Sequence, residues 1–297
     1  IVGAEFVVTG TLTIDAATFN LASGGVANLT AGAITINQGT LNHGVRTVDC
    51  NGLFTLGDSN AAADDAFITG SGNVNVGGGL TAAQDGAYNS TGLLTFDGDG
   101  NWSDANTNNF PATTIDGTAA VVTLTSPAIS LGADTLTVGA DDRLRLNGQA
   151  FTAGTLTVNG DIFNTTAADA PAGDAVLTVS SAVTINNGGE ISLGGGTGVT
   201  TGTGQLSFTA TGDTSITVNT GGILTTSAGP GGGGGTPAIV IANGSANLNL
   251  NDGTLNHGSA NIRHGGDLYQ WDGQAAGGGV TINGTSAIEF TRSTNGT

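Results

Sequence analysis

The sequence predicts an all-β chain, a single elongated parallel β-helix (β-solenoid), and three observations point to it. The first is a recurring phrase of alternating apolar residues and Thr closed by Asn: Thr35-Ile36-Asn37, Thr157-Val158-Asn159, Thr184-Ile185-Asn186, Thr217-Val218-Asn219 and Thr281-Ile282-Asn283. β-Branched side chains suit a pleated surface, while Asn and Gly tolerate the positive φ of a tight turn. The second is spacing, since many of the clearer apolar strand starts recur at intervals of about 20 residues, a period that belongs to solenoids. The third is composition: charged residues make up 9% of the chain and Gly contributes 53 residues of 297. Stacked rungs place equivalent side chains ~4.8 Å apart, where like charges repel and Thr or Asn can hydrogen-bond along the stack.

Taken in order, the strands begin at Leu12, Ile34, Val74, Leu94, Val122, Leu136, Leu156, Leu177, Leu206, Ile239 and Val280, with further short ones at Val45 to Val48 and Leu248 to Leu250. Each shows alternation over three to six residues, as in Thr11-Leu12-Thr13-Ile14, and no segment carries helical periodicity. The competing architecture is an antiparallel β-sandwich or jelly roll, whose hairpins would use the Asn-Gly pairs at Asn51-Gly52, Asn147-Gly148 and Asn159-Gly160. Uneven rung length and avoidance of charge favour the β-helix. One domain is expected over residues 1–297, with loop excursions near 97–118, 164–174 and 229–237, where Asp, Asn, Gly and Pro concentrate.

Composition also excludes function classes. The net charge is −18, with five cations, all Arg (Arg46, Arg143, Arg145, Arg263, Arg292). Nucleic acid is therefore not an expected partner, because phosphate binding needs clustered cations. Membrane insertion is not expected either, since no run reaches the ~18 apolar residues of a span. Cys50 is the one cysteine, so there is no disulfide framework. Ile1 at the start, in place of Met, is expected of an exported chain whose signal has been removed, which places the protein outside the cell or on its surface.

The rung phrases Leu156-Thr157-Val158-Asn159-Gly160, Leu94-Thr95-Phe96-Asp97-Gly98 and Gly253-Thr254-Leu255-Asn256 resemble the β-strand repeats of autotransporter passengers, haemagglutinin-like adhesins and other secreted bacterial β-solenoids. That resemblance implies a right-handed β-helix at the cell surface with a non-enzymatic role. No segment of these residues is expected to form the C-terminal membrane barrel of the autotransporter pattern.

Several clusters could carry chemistry. Asp97, Asp99, Asn101 and Asp104 place oxygen ligands at alternating positions in a Gly-rich stretch, the start of a calcium loop, although Trp102 stands where an EF-hand loop needs Gly. Calcium is thus the one candidate cation, and no cofactor is required. Gly-Thr-Leu-Asn-His-Gly occurs at Gly39 to Gly44 and again at Gly253 to Gly258, with Cys50 seven residues after His43 and His264 seven after His257. Two ligands are too few for a closed tetrahedral metal site, and a duplicated rung explains the motif more simply. Tyr269 and Trp271 share one face of a strand, suited to a protein contact or to a sugar ring. Asp141-Asp142-Arg143-Leu144-Arg145 is the best hint of a polysaccharide-degrading site, against a reading as surface ion pairs. Asn-X-Ser/Thr triplets occur at Asn28, Asn89, Asn101, Asn164, Asn243, Asn283 and Asn295, of which Asn89, Asn101 and Asn164 are the expected exposed acceptors.

The ends decide the functional expectation. A solenoid exposes unpaired backbone groups at both ends unless a cap covers them. Glu5-Phe6-Val7-Val8 and Ala287-Ile288-Glu289-Phe290 both read as uncapped apolar strands. The expected partner is a second copy, joined head to tail through Glu5, Phe6, Val7, Val8, Ile288 and Phe290, with Tyr269 and Trp271 beside them. The expectation is a secreted, non-enzymatic structural protein forming a filament or surface layer. The alternatives are a surface adhesin binding glycans near Trp102 and Trp271, and a β-helix lyase or hydrolase.

Overall fold

The computed structural model describes residues 5–21, 28–59, 65–164, 174–193, 204–210, 214–226, 239–242, 246–258, 262–264, 269–271, 281–284 and 288–290. Among them there are strands, turns and no helix, and every strand pairing is parallel. The chain is an all-β parallel β-solenoid. Its hairpin-tip Asn-Gly pairs close turns within a coil, and no antiparallel sandwich forms. Contacts divide it into two units, residues 1–134 and 135–297.

In the N-terminal unit each coil lays down up to three strands in succession, and each strand stacks in register on its counterpart one coil later. The first stack holds Phe6 to Val8 of the strand Phe6–Ile14, Leu29 to Ala31 of Leu29–Ile36, then Val48–Cys50, Val74–Val76, Leu94–Phe96 and Thr113–Ile115. The second holds the later halves of the two long strands, then Phe54–Leu56, Gly79–Ala82, Gly100–Asp104 and Val121–Leu124. The third holds Ala17–Asn20, Gly39–Gly44, Ala66–Gly70 and Gly86–Ser90.

Alternation along each strand sends every second residue inward, so the core consists of columns. One column runs Leu12, Ile34, Phe54, Leu80, Trp102, Leu124 and another Val8, Ala31, Cys50, Val76, Phe96, Ile115. From the second coil onward these residues are at most 1% exposed. Each fully buried Val, Leu, Ile or Phe side chain contributes about 1.5–3 kcal/mol relative to exposure. Between the first two stacks the chain turns a corner too tight for side chains. A Cβ on Gly32 would lie 2.8 Å from the Thr9 carbonyl oxygen, and one on Gly52 would lie 2.5 Å from that of Gly32. Part of the high glycine content is therefore set by backbone stacked on backbone.

The segment 97–118, expected as a loop excursion, contributes two strands to the stack, with residues 105–112 between them outside any strand. It supplies Gly100–Asp104, paired on both edges, and Thr113–Ile115, which stacks on Leu94–Phe96 of the preceding coil. Short strands flanked by Asp, Gly and Asn carry too few alternations to stand out from loop composition. The other two expected excursions, 164–174 and 229–237, lie almost wholly outside the described residues.

The C-terminal unit repeats the plan. Its first stack runs from Thr135–Val138 through the later halves of Ala150–Val158 and Ala175–Ile185 to Ser215–Val218, Asn247–Leu250 and Tyr269–Trp271. Its second contains Arg143–Arg145, Asp161–Phe163, Glu190–Ser192, Ile223–Thr225, Thr254–Gly258 and Thr281–Gly284. Its third contains the earlier halves of the two long strands, then Gly204–Phe208, Ile239–Ile241, Ile262–His264 and Ile288–Phe290. The recurring Asn lies where the first stack ends. Asn186 Nδ2 donates to Asn159 Oδ1 at 2.8 Å, Asn219 Nδ2 to Asn186 Oδ1 at 2.9 Å and Asn251 Nδ2 to Asn219 Oδ1 at 3.2 Å. A side-chain ladder thus runs beside the backbone ladder.

Candidate functional site

The first coil of the N-terminal unit differs from those behind it. Phe6, whose in-register partner Leu29 is fully buried, is itself 38% exposed, and Val7 is 56% exposed. Val8 and Leu12 point toward the core yet remain half-buried, whereas Ala31 and Ile34 on the next coil are sealed. Phe6 rests against Phe19 with ring centroids 5.3 Å apart, and the Thr30 hydroxyl donates to the Glu5 carboxylate. Among the described residues, nothing pairs with the other edge of this coil. In the C-terminal unit, Tyr269–Trp271, Thr281–Gly284 and Ile288–Phe290 form the last coil, and each is paired on one edge only among the described residues. Ile288, Phe290, Tyr269 and Trp271 are therefore on open-edged strands.

The residues of the acidic cluster fall on different sides of the stack. Alternation along Gly100–Asp104 turns Asn101 to solvent and Asp104 to the interior, so the two fall on opposite sides of one strand. The Asp104 carboxylate is engaged by amides: Oδ1 accepts from Asn106 N at 3.1 Å and Asn108 Nδ2 at 2.8 Å, and Oδ2 accepts from Asn108 N at 2.6 Å. Burial raises its pKa, and these donors partly offset the rise. Asp99 Oδ1 accepts from Val121 N at 2.8 Å, tying one coil to the next, and Asp97 is exposed at the end of its strand. Among the described residues, no group of three or more His, Cys, Asp or Glu side chains is placed to share a metal ion.

The duplicated motif encodes a bulge. In the first copy the register slips between Asn42 and Gly44 against Ala66–Gly70, and in the second between Asn256 and Gly258 against Thr281–Gly284. Both slips skip the histidine. His43 is fully buried, its Nδ1 lies 2.7 Å from the Arg46 carbonyl oxygen and its Nε2 3.0 Å from Ser90 Oγ. The contact with a carbonyl fixes Nδ1 as the donor and leaves Nε2 to accept from the Ser90 hydroxyl. Ser90 lies two coils further on, and the ring reaches it over Gly70, where a Cβ would lie 2.6 Å from Nε2. Cys50 occupies a core column, where burial pushes its thiol up to about 11. His43 and Cys50 are thus packing residues. Sequence alone could not pair His43 with Ser90, because the contact skips an entire coil.

No protein-family model, no curated protein and no solved structure matches the chain.

Two further expectations change. Trp102, placed at a glycan-binding loop, is fully buried in a core column, in contact with Phe96 at 4.8 Å and Phe110 at 5.2 Å between ring centroids, and has no face to offer a sugar. Asn164, expected to be an exposed acceptor, is fully buried with its Oδ1 accepting from Gly148 N at 2.7 Å, while Asn89 and Asn101 are exposed on strands. Asn243 and Asn295 lie outside the described residues. Arg143 Nε donates to Asp161 Oδ2 at 3.1 Å, as expected of a surface pair. Asp161 is directly in register with Glu190 on the next coil, and Glu190 Oε1 accepts from Thr225 Oγ1 at 3.2 Å. Burial, more than any neighbouring charge, raises the pKa of both carboxylates.

Proposed function

We propose that this is a secreted structural protein whose copies join end to end, the first coil of one against the last coil of the next, to form an extracellular filament or surface layer. The observation that carries this reading is the unfinished core at Phe6, Val8 and Leu12, with Val7 exposed on the outward face beside them. Every later coil of that unit seals the equivalent column, so the exposed end is a template for one more coil with the same parallel register. The last coil, Tyr269–Trp271, Thr281–Gly284 and Ile288–Phe290, offers three strands in the matching order with open edges. Such a contact is heterologous, and repeating it gives a fibre rather than a closed ring when the rotation does not close. A low charge content and a surface of Thr, Asn and Ser suit a secreted, long-lived material.

Negative-stain electron microscopy of purified protein is the test. Wild-type protein is expected to form fibres as concentration rises. The double variant Phe6→Lys/Val7→Pro, which places a charge on the open core and removes an edge N–H, is expected to give dispersed particles with an unchanged circular dichroism spectrum. Discrete wild-type particles at all concentrations, or fibres from the double variant, would reject end joining.

A further inference from the structure

The outward face of the first stack in the C-terminal unit is a two-dimensional array of small uncharged side chains, most of them bearing hydroxyls. Two columns cross it. One is Thr137, Thr157, Thr184 and Thr217, continued by Asn249, with each residue in register with the next. The other, two residues earlier on each strand, pairs Thr135 with Thr155, Thr155 with Ala182, and Ser215 with Asn247. All ten side chains are half-exposed, while the residues between them, from Leu136 to Leu250, face the core and are at most 1% exposed. The face holds no charge and no aromatic ring at these positions. It differs in this from the second stack of the same unit, which displays Arg143, Asp161 and Glu190.

The array is stiff. Thr has few χ1 options on a strand, Ser215 Oγ lies 2.9 Å from Thr217 Oγ1, and the asparagine ladder from Asn159 to Asn251 runs along one margin. Parallel pairing sets the spacing, ~4.8 Å from rung to rung and about 6.7 Å between alternate residues along a strand. A peptide or a single sugar chain can follow only one of these two directions. A partner that meets every rung at once must itself repeat in two directions, carry no charge, and accept both hydroxyl and methyl groups. Crystalline polysaccharide would be gripped by aromatic rings, which these columns lack. Ice fits: both spacings lie close to the oxygen repeats on the exposed faces of hexagonal ice, and Thr hydroxyls and methyls can hold first-layer water in that arrangement.

We propose that this face, centred on Thr157 and Thr184, binds ice. The proposal is independent of end joining and is best tested on the dispersed Phe6→Lys/Val7→Pro protein. Ice grown slowly in its solution should take up the protein, enriched several-fold over an unrelated globular protein of similar size, which freezing excludes. Crystals held just below melting should become faceted and stop growing. In that background Thr157→Lys and, separately, Thr184→Tyr should abolish uptake and faceting with the thermal melt unchanged. Thr254→Lys on the second stack should leave both intact. Exclusion from ice equal to that of the unrelated protein would overturn the proposal. So would uptake that survives both Thr157→Lys and Thr184→Tyr, or binding to microcrystalline cellulose or chitin without uptake into ice.

Discussion

At the scale of residues, the most consequential group is His43. It is neutral in the fold because burial lowers its pKa from the usual value, with the Arg46 carbonyl opposing only in part. In the unfolded chain the ring titrates near 6.5. As pH falls below that value the unfolded state takes up a proton that the native state does not bind, so stability is lost with acid, progressively down to the folded pKa. His43→Gln should therefore be less stable than wild type at pH 7.5, by about 1–3 kcal/mol for the broken buried contacts, and should lose less stability between pH 7 and pH 5. Urea unfolding of both proteins at the two pH values measures this. Equal losses in the two proteins would show that His43 does not set the acid slope. Asp85 is a second buried anchor: burial opposes its ionisation, but the backbone N–H groups of Asp58 at 3.2 Å and Ser59 at 3.1 Å outweigh this and hold its pKa low. The sequence marks His43 only by its repeated motif and does not mark Asp85, because the partners that define each lie at least a coil away.

At the scale of elements, the strand followed by Asn was legible and its consequence is specific. Asn186 gives one ladder bond and accepts another, and so does Asn219, with the bond between them shared. Asn186→Ala and Asn219→Ala should each cost roughly 1–2 kcal/mol. The double variant should cost less than their sum by about one shared hydrogen bond, ~0.5–1.5 kcal/mol. Chemical denaturation of the four proteins closes the cycle, and strict additivity would mean that the ladder bonds do not hold in solution. What was illegible at this scale was direction. Composition alone reads Gly100–Asp104 as a loop, yet its alternation places Trp102 and Asp104 on one side and Asn101 and Ser103 on the other, and Trp102 falls in the column of Phe54 and Leu80. A five-residue strand becomes visible once its neighbours in the stack are known, because its register is supplied by them and not by its own composition.

At the scale of the whole molecule, charge governs association. Acidic residues number 23 against 5 Arg, so any two copies repel. The repulsion acts across the surface and is screened within ~8 Å at physiological ionic strength, whereas the end contact argued above is apolar and indifferent to salt. Asp49, Asp104, Asp161 and Glu190 all have pKa values raised chiefly by burial. A carboxyl raised in the fold binds its proton at higher pH than in the unfolded chain. These groups therefore add stability as pH falls toward the ordinary carboxylate range, opposite in sign to His43, and they shed negative charge early. Assembly should begin at lower protein concentration in 150 mM than in 10 mM salt, and at pH 5 than at pH 7.5. Light scattering against concentration under the four conditions reads the onset directly. An onset that rises with salt would mean that the joint is held by ion pairs and not by the open core around Phe6, and an onset that ignores both variables would remove charge as its control.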